Sequence, residues 1–570
     1  MRTRTFTGFA FVLTLGMLAV LLVGCNMNIG GSNQAASDVK QILHAALVPD
    51  TGNIRYLDPA RITDHASFSA ALLVYPSLVT LDSTMNAVPW AAESLPIVSD
   101  AGSTYTFKIR SGLKWSDGTP IDANTFAYSL NRSLDPCTTS GAASYLYPIK
   151  GATAFNLGAC PTTADANNPV SIATLIGKSI VVSDPQTLVI TLEKPYAYFL
   201  DTLVTPVALA QPQQLITKYG MQHWTDHLVD HGGFGGNLFN VKLWDHRGHL
   251  NLVRNESFWG FKPRLKEIDF KLYKDTDTAY GDYENGQLDV ATPPASQYSD
   301  AKQRNDFHTV PYLSIGYLKP NWTKAPFDDV NARLAFALAL NKDVIANKVL
   351  GGSVIPTNHI VPEGQFGYNA NLTGPDGTTN LRGNPGKAKQ LISAYAQQHC
   401  NGAITKCTPV DYYASDDADS VSQSQAELAQ WRAALPGYPI RVHNISFNDL
   451  VAKVYSGDAP QLADVGWSGD YPDPQDWLSV QFLPGSSTNT GTVNDPVAND
   501  LMNKCDVEQN TATRLQMANQ AEQELVNQGA WIPEYQQKGF WVASSHVANY
   551  SEASSGYAVL DTWTKVFITQ

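Results

Sequence analysis

Three carboxylates at three-residue spacing stand out late in the chain. Asp470, Asp473 and Asp476 fall within residues 466–477, where Trp467, Tyr471 and Trp477 interleave with them. Pro472 and Pro474 fix the backbone there, and Gly466 and Gly469 permit close approach. Aromatic faces beside a preset carboxylate suit a small organic ligand with a cationic group. The plainer reading is a proline turn in which Asp470 and Asp473 bond the local backbone. A carboxylate pair for glycoside hydrolysis is a further reading. It needs a general acid that spacing alone does not assign, and all three acids sit in one loop. The spacing also departs from the calcium pattern of an EF-hand.

A second set of candidates is His223, His227 and His231, with His246 and His249 further on. On one helix the first three would share a face and could hold zinc or nickel. The segment runs into the glycine-rich turn at 232–236, and Asp226 and Asp230 lie close by, so a solvated face is the expectation and no metal site is assigned. No Gly-x-Ser-x-Gly elbow, phosphate-binding glycine loop or His-Glu-x-x-His helix occurs. The chain therefore carries no catalytic motif, and no cofactor is expected.

Around these residues the sequence lays out alternating strand-like and helix-like segments, the pattern of an α/β protein. Residues 41–48 and 462–465 read as strands. Tyr105, Phe107 and Ile109 alternate with polar residues, as in a half-buried strand. Asp122 is placed to cap a helix with Ala123, Phe126, Ala127, Leu130 and Leu134 on one face. After Phe327-Asp328-Asp329 a helix is expected to set Val330, Leu334, Ala337, Leu338 and Asn341 on one side. The 570 residues exceed one ordinary core. A net charge of −13 argues against a nucleic-acid partner.

At the N-terminus, Arg2 and Arg4 precede an apolar run to Val23, which makes an export signal. Leu22-Val23-Gly24-Cys25 resembles a bacterial lipobox, which implies that Cys25 is the lipidated first residue of the mature chain. The segment after Cys25 is rich in Gly, Ser, Asn and Ala, as a tether should be. No later stretch is long and apolar enough to span a bilayer. Export places the remaining cysteines in an oxidising space, where Cys137 with Cys160 and Cys400 with Cys407 are candidate local disulfides and Cys505 is left over.

Residues 105–132, YTFKIRSGLKWSDGTPIDANTFAYSLNR, closely resemble the signature of the peptide/nickel-type solute-binding proteins of ABC transporters, which include oligopeptide- and dipeptide-binding lipoproteins. Residues 252–290, 325–345, 466–474 and 529–537 resemble further segments of that family in the same order. The turn at 232–239 departs from the family's usual Gly-Thr-Gly-Pro, and 135–178 and 365–410 look like inserts. The resemblance implies a two-lobed periplasmic-binding-protein-like fold with a hinge and an extra N-terminal subdomain. Its expected divisions are a lipoprotein signal (1–25), a tether (26–40), lobe I (41–80), the subdomain (81–180), lobe I again (181–310), lobe II (311–515) and a return to lobe I (516–570).

It also implies a monomeric receptor, anchored by lipid on the outer face of the membrane or in the periplasm, that hands peptides to an ABC permease. Asp470 would receive the ligand's α-ammonium. Trp467 and Tyr471 would wall the site, and Tyr75, Asn321 and Trp322 would face it from the other side. Alternatives are the same fold binding an oligosaccharide, an opine-like compound or a metal chelate, and, from another class, an extracellular hydrolase or a surface sensor.

Overall fold

The computed structural model describes residues 40–49, 53–160, 174–246, 248–557 and 559–569. Cys25, the export segment and the tether up to residue 39 lie outside the described residues.

Two long strands organise the chain. Phe307–Pro320 and Ile532–Ala543 run antiparallel to each other in the middle of an eleven-stranded sheet. On one side of this pair stand Leu462–Ser468, Val410–Ser415 and Ile440–Ile445, parallel among themselves. On the other side come Val290–Ala291, Ile42–Leu47, Glu267–Leu272, His249–Arg254 and Phe239–Trp244, while Val354–Pro356 branches from Ile532–Ala543. A register shift between Pro311 and Ile315 marks where the long pair passes from one half of the sheet to the other. The burial pattern changes at the same place. Residues 307–312 are mostly open, whereas every residue from Leu313 to Pro320 is buried, as in a strand covered on both faces.

A separate four-stranded sheet, Ile97–Ser99, Thr104–Lys108, Thr187–Thr191 and Ile180–Asp184, carries the alternation read at 105–109: Tyr105 and Phe107 point inward. The helix Ala123–Leu134 packs on it. Asp122 accepts from the N–H groups of Asn124 and Thr125, and the Thr125 hydroxyl side chain accepts from the Asp122 N–H, a reciprocal cap. Ala123, Phe126, Ala127, Leu130 and Leu134 are all buried.

The helix after Asp329 spans Val330–Leu338, but its buried side is Ala332, Phe336 and their neighbours rather than Val330 and Leu334. Asn341 has left that helix and caps the next turn through the Val344 N–H. The small residues let the helix lie against the long helix Pro385–His399, a contact that apolar periodicity alone does not register.

The second half of the sheet has its own core, centred on Phe336, Tyr395, Tyr412 and Trp431. Tyr471, Trp477, Phe482 and Met502, together with Ile360, Val361 and Leu372, instead join the large core of the first half. Cys137 is bonded to Cys160, and Cys400 to Cys407. Cys505 is buried as a free thiol, which burial pushes up to about 12.

Candidate functional site

The site is built from the strand Leu462–Ser468 outward. Along one edge it pairs with Phe307–Pro320 over its whole length, from Pro320 opposite Leu462 to Ser314 opposite Ser468. Along its other edge it pairs with Val410–Ser415 only at Leu462 and Ala463. Among the described residues, 464–468 therefore have no ladder partner on that edge. Nothing covers it closely either: Gly466 and Ser468 are exposed, and a Cβ on Gly466 would meet only the Ile315 carbonyl, at 3.4 Å. An open strand edge is a template for another extended chain.

Beyond the strand the chain turns sharply. The Gly469 N–H donates to the Leu313 carbonyl (2.8 Å), and a Cβ there would lie 3.2 Å from the Trp477 ring. The three aspartates then separate into three different roles. Asp473 is 1% exposed. It caps the short helix Pro474–Trp477 through the Gln475 N–H (2.9 Å), and both its oxygens receive the Arg514 guanidinium at 2.6 Å. Asp476 is fully buried; one oxygen accepts from the Asp470 N–H (2.9 Å) and from the Trp467 indole N–H (3.3 Å). Burial, together with the neighbouring Asp470, lifts its carboxyl well above the usual range. Two of the acids thus tie the loop down.

Asp470 is the one left facing outward. It is half-buried, and its carboxylate accepts from the hydroxyl of Tyr145, which lies in the short turn Ala143–Leu146. Burial pushes it up to about 6, against the lowering effect of the Tyr145 bond. No Lys or Arg pairs with it among the described residues. Tyr455 and Tyr557 lie within its electrostatic reach. Tyr471 is buried beside it, between the rings of Tyr145 (5.7 Å) and Tyr198 (6.5 Å), and its hydroxyl donates to Gln475. Trp467 is half-buried on the same loop.

The other expected wall residues, Tyr75, Asn321 and Trp322, lie apart from Asp470 in this structure. Tyr75 is fully buried, with Trp115 at 6.3 Å and Trp224 at 6.2 Å, behind the Asp58–Arg132 ion pair. Burial raises its phenol well above the ordinary value. Asn321 and Trp322 follow Pro320, at the end of the strand opposite to Ser468, roughly 20 Å away at 3.3 Å per residue. The Asn321 amide is already used by Ala459, Thr323 and Thr492. Trp322 stacks beneath the Arg333 guanidinium at 3.7 Å. Asparagine and tryptophan in a loop look available in a sequence, and only packing shows them occupied.

Tyr145, Tyr455 and Tyr557 went unnoticed, because they come from three distant segments with no shared spacing. The histidines do not form a ligand set either. His223 and His227 lie at a short turn, His231 has a left-handed backbone (φ 55°), and His227 pairs with Asp230 at 2.8 Å. Among the described residues no group of three or more His, Cys, Asp or Glu is placed to hold a metal.

With this geometry in view, the comparisons with known proteins fall into line. The family described as bacterial extracellular solute-binding proteins, family 5 (middle), matches residues 86–489. The periplasmic oligopeptide-binding protein OppA of Escherichia coli is 27% identical over 534 residues, 92% of each chain. The dipeptide-binding protein DppE of Bacillus subtilis is 25% identical over 543 residues, again 92% of each. Among solved structures, the Escherichia coli murein tripeptide binding protein MppA has a TM-score of 0.75 at 22% identity, covering 94% of this chain and 99% of its own. Haemophilus influenzae OppA in complex with the peptide RPPGFSPFR has a TM-score of 0.73 at 21% identity, covering 94% and 100%. Matched over more than half its length, the chain belongs to the bacterial extracellular solute-binding proteins of family 5.

Proposed function

We propose that the chain is a peptide receptor of an ABC importer, held outside the membrane by lipid on Cys25. The observation that carries this reading is the open strand edge 464–468 ending at an uncompensated Asp470. An extended peptide added to that edge gains main-chain hydrogen bonds whatever its side chains, and its α-ammonium meets Asp470. Names of relatives point the same way, since several are oligopeptide- or dipeptide-binding proteins. Members of this family bind solutes rather than transform them, so no catalytic step is assigned. The hinge lies where the long strands shift register, at 311–315 and the facing 536–538. Tyr145 and Tyr198 already lie against the 470–471 loop, so closure there would hold that contact and present one composite surface to a permease.

Calorimetric titration with a short alanine peptide and its N-acetylated form tests the reading. The free amine should bind, and acetylation or Asp470→Asn should weaken binding by roughly 30-fold or more, the usual effect of losing one partner of a desolvated charge pair. Equal binding of the acetylated and free peptides would remove Asp470 from the α-ammonium site.

A further inference from the structure

Six residues before Asp470, the same strand carries a second acid, and it does not stand alone. Asp464 has the same strand parity as the exposed Gly466 and Ser468, so its side chain leaves the same face beside the open edge. It is partly exposed, its backbone lies in the ladder opposite Leu318, and its side chain makes no hydrogen bond or ion pair among the described residues. Three further carboxyls approach it from other elements. Glu427 comes from the helix Ala418–Ala434, Glu534 from the strand Ile532–Ala543, and Asp417 caps that helix.

Glu427 and Glu534 are 0% and 1% exposed and lie in hydrogen-bond contact with each other. Glu427 also accepts from the Tyr412 hydroxyl, and Glu534 from the Gln423 amide (3.0 Å), whose oxygen takes the Tyr535 hydroxyl (3.3 Å). Apart from that mutual contact, their second oxygens meet no other donor among the described residues. The one cation that Glu534 senses is Lys342, already bound to Asn358 and to the Thr357 carbonyl (3.0 Å) and lowered to about 7 by burial. Four carboxyls thus gather beside one open strand edge, two of them buried against each other, and none is in a salt bridge among the described residues.

We propose that this patch is a subsite for a basic side chain, the lysine or arginine of a peptide lying along 464–468. The inference rests on the peptide reading above and adds a preference to it. A ligand chain on the open edge sends alternate side chains to the face that Asp464 shares with Glu427 and Glu534. A cation arriving there offsets the mutual repulsion, and the protons that now hold the acids neutral are released. Burial holds Glu427 at about 7 against the lowering effect of its hydrogen bonds, and burial with like charge raises Glu534 and Asp464 well above the carboxylate range, so at neutral pH the latter two keep their protons.

The test is a scan of tetra-alanine peptides with lysine, or uncharged norleucine of similar length, at each position after the first. At one position lysine should bind about tenfold more tightly than norleucine, and that advantage should vanish in Asp464→Asn. Independently of any variant, the lysine peptide's binding heat should change with the buffer's ionisation enthalpy more than the norleucine peptide's, reporting proton release. Equal affinity of the two series at every position would overturn the subsite while leaving peptide capture standing. Failure of every peptide to bind would overturn both.

Discussion

Two buried groups of charge, one in each half of the molecule, are treated in opposite ways. In the first half, Arg132 holds Asp58 through two hydrogen bonds of 2.8 and 2.7 Å, and both side chains are about 5% exposed or less. Gln211 accepts from Arg132 (2.7 Å) and donates to Ser133 (2.9 Å), while the Trp224 indole N–H reaches Asp58 at 3.3 Å. In the second half, Asp470 meets only a tyrosine hydroxyl, and Asp464, Glu427 and Glu534 crowd together with one weakly basic lysine. A charge held by its counter-ion fixes a fold. A charge left without its counter-ion beside an open strand edge is a place prepared for something to arrive.

The comparison breaks most visibly in the first half. Arg132→Met should strand Asp58 as a buried, unpaired carboxylate, at a cost of about 3–5 kcal/mol in a urea titration. Peptide affinity of the fraction that remains folded should not change, because nothing in that group reaches the 464–470 edge. Arg514→Met is the sharper variant, since it leaves Asp473 unpaired within the ligand loop itself. A similar loss of stability is expected there, now accompanied by weaker binding as the loop 470–476 slackens.

What the sequence made legible follows the same division. Local period and capping were enough for the strand at Tyr105 and Phe107 and for the helix behind Asp122, because each depends on neighbours within a few residues. The loop at 466–477 was visible as a concentration of aromatics and acids. Which of its aspartates is left without a structural role was not visible in this way, since that turns on Arg514 and Trp467 claiming the other two. Tyr75 looked like a cleft residue by type and proved to be core, closed in by Trp115 and Trp224. The acids Glu427, Asp464 and Glu534 are more than a hundred positions apart at their extremes, and only the sheet order brings them together.

In the second half the effects are read in binding rather than folding. On the proposed reading Asp470 receives an ammonium only when ionised, and burial has raised it to about 6. Affinity for a free-amine peptide should therefore be nearly flat well above pH 6 and fall as pH drops through that value, by about tenfold per unit well below it. The sign is fixed by the direction of the shift: a raised acid takes up its proton earlier as the medium acidifies, and the ammonium then loses its partner. An N-acetylated peptide should show little of this dependence. A pH-independent affinity for the free amine would place its charge elsewhere.

The smallest effect belongs to Tyr145. Among the described residues its hydroxyl is the one donor to the Asp470 carboxylate, and it stands where a ligand's ammonium is expected. Tyr145→Phe removes that bond and nothing of the ring, so the packing against Tyr471 at 5.7 Å is kept. A hydrogen bond to a carboxylate is worth about 1.5–3 kcal/mol at most, and the incoming ammonium replaces part of it. Two consequences oppose each other in the variant: Asp470 loses a donor that favours its charged form, and the ligand loses a competitor for the same oxygen. The net change in affinity at neutral pH should be slight, while the pH at which affinity begins to fall should move upward. A variant whose affinity collapsed with an unmoved pH profile would mean that the hydroxyl touches the ligand directly rather than holding Asp470 for it.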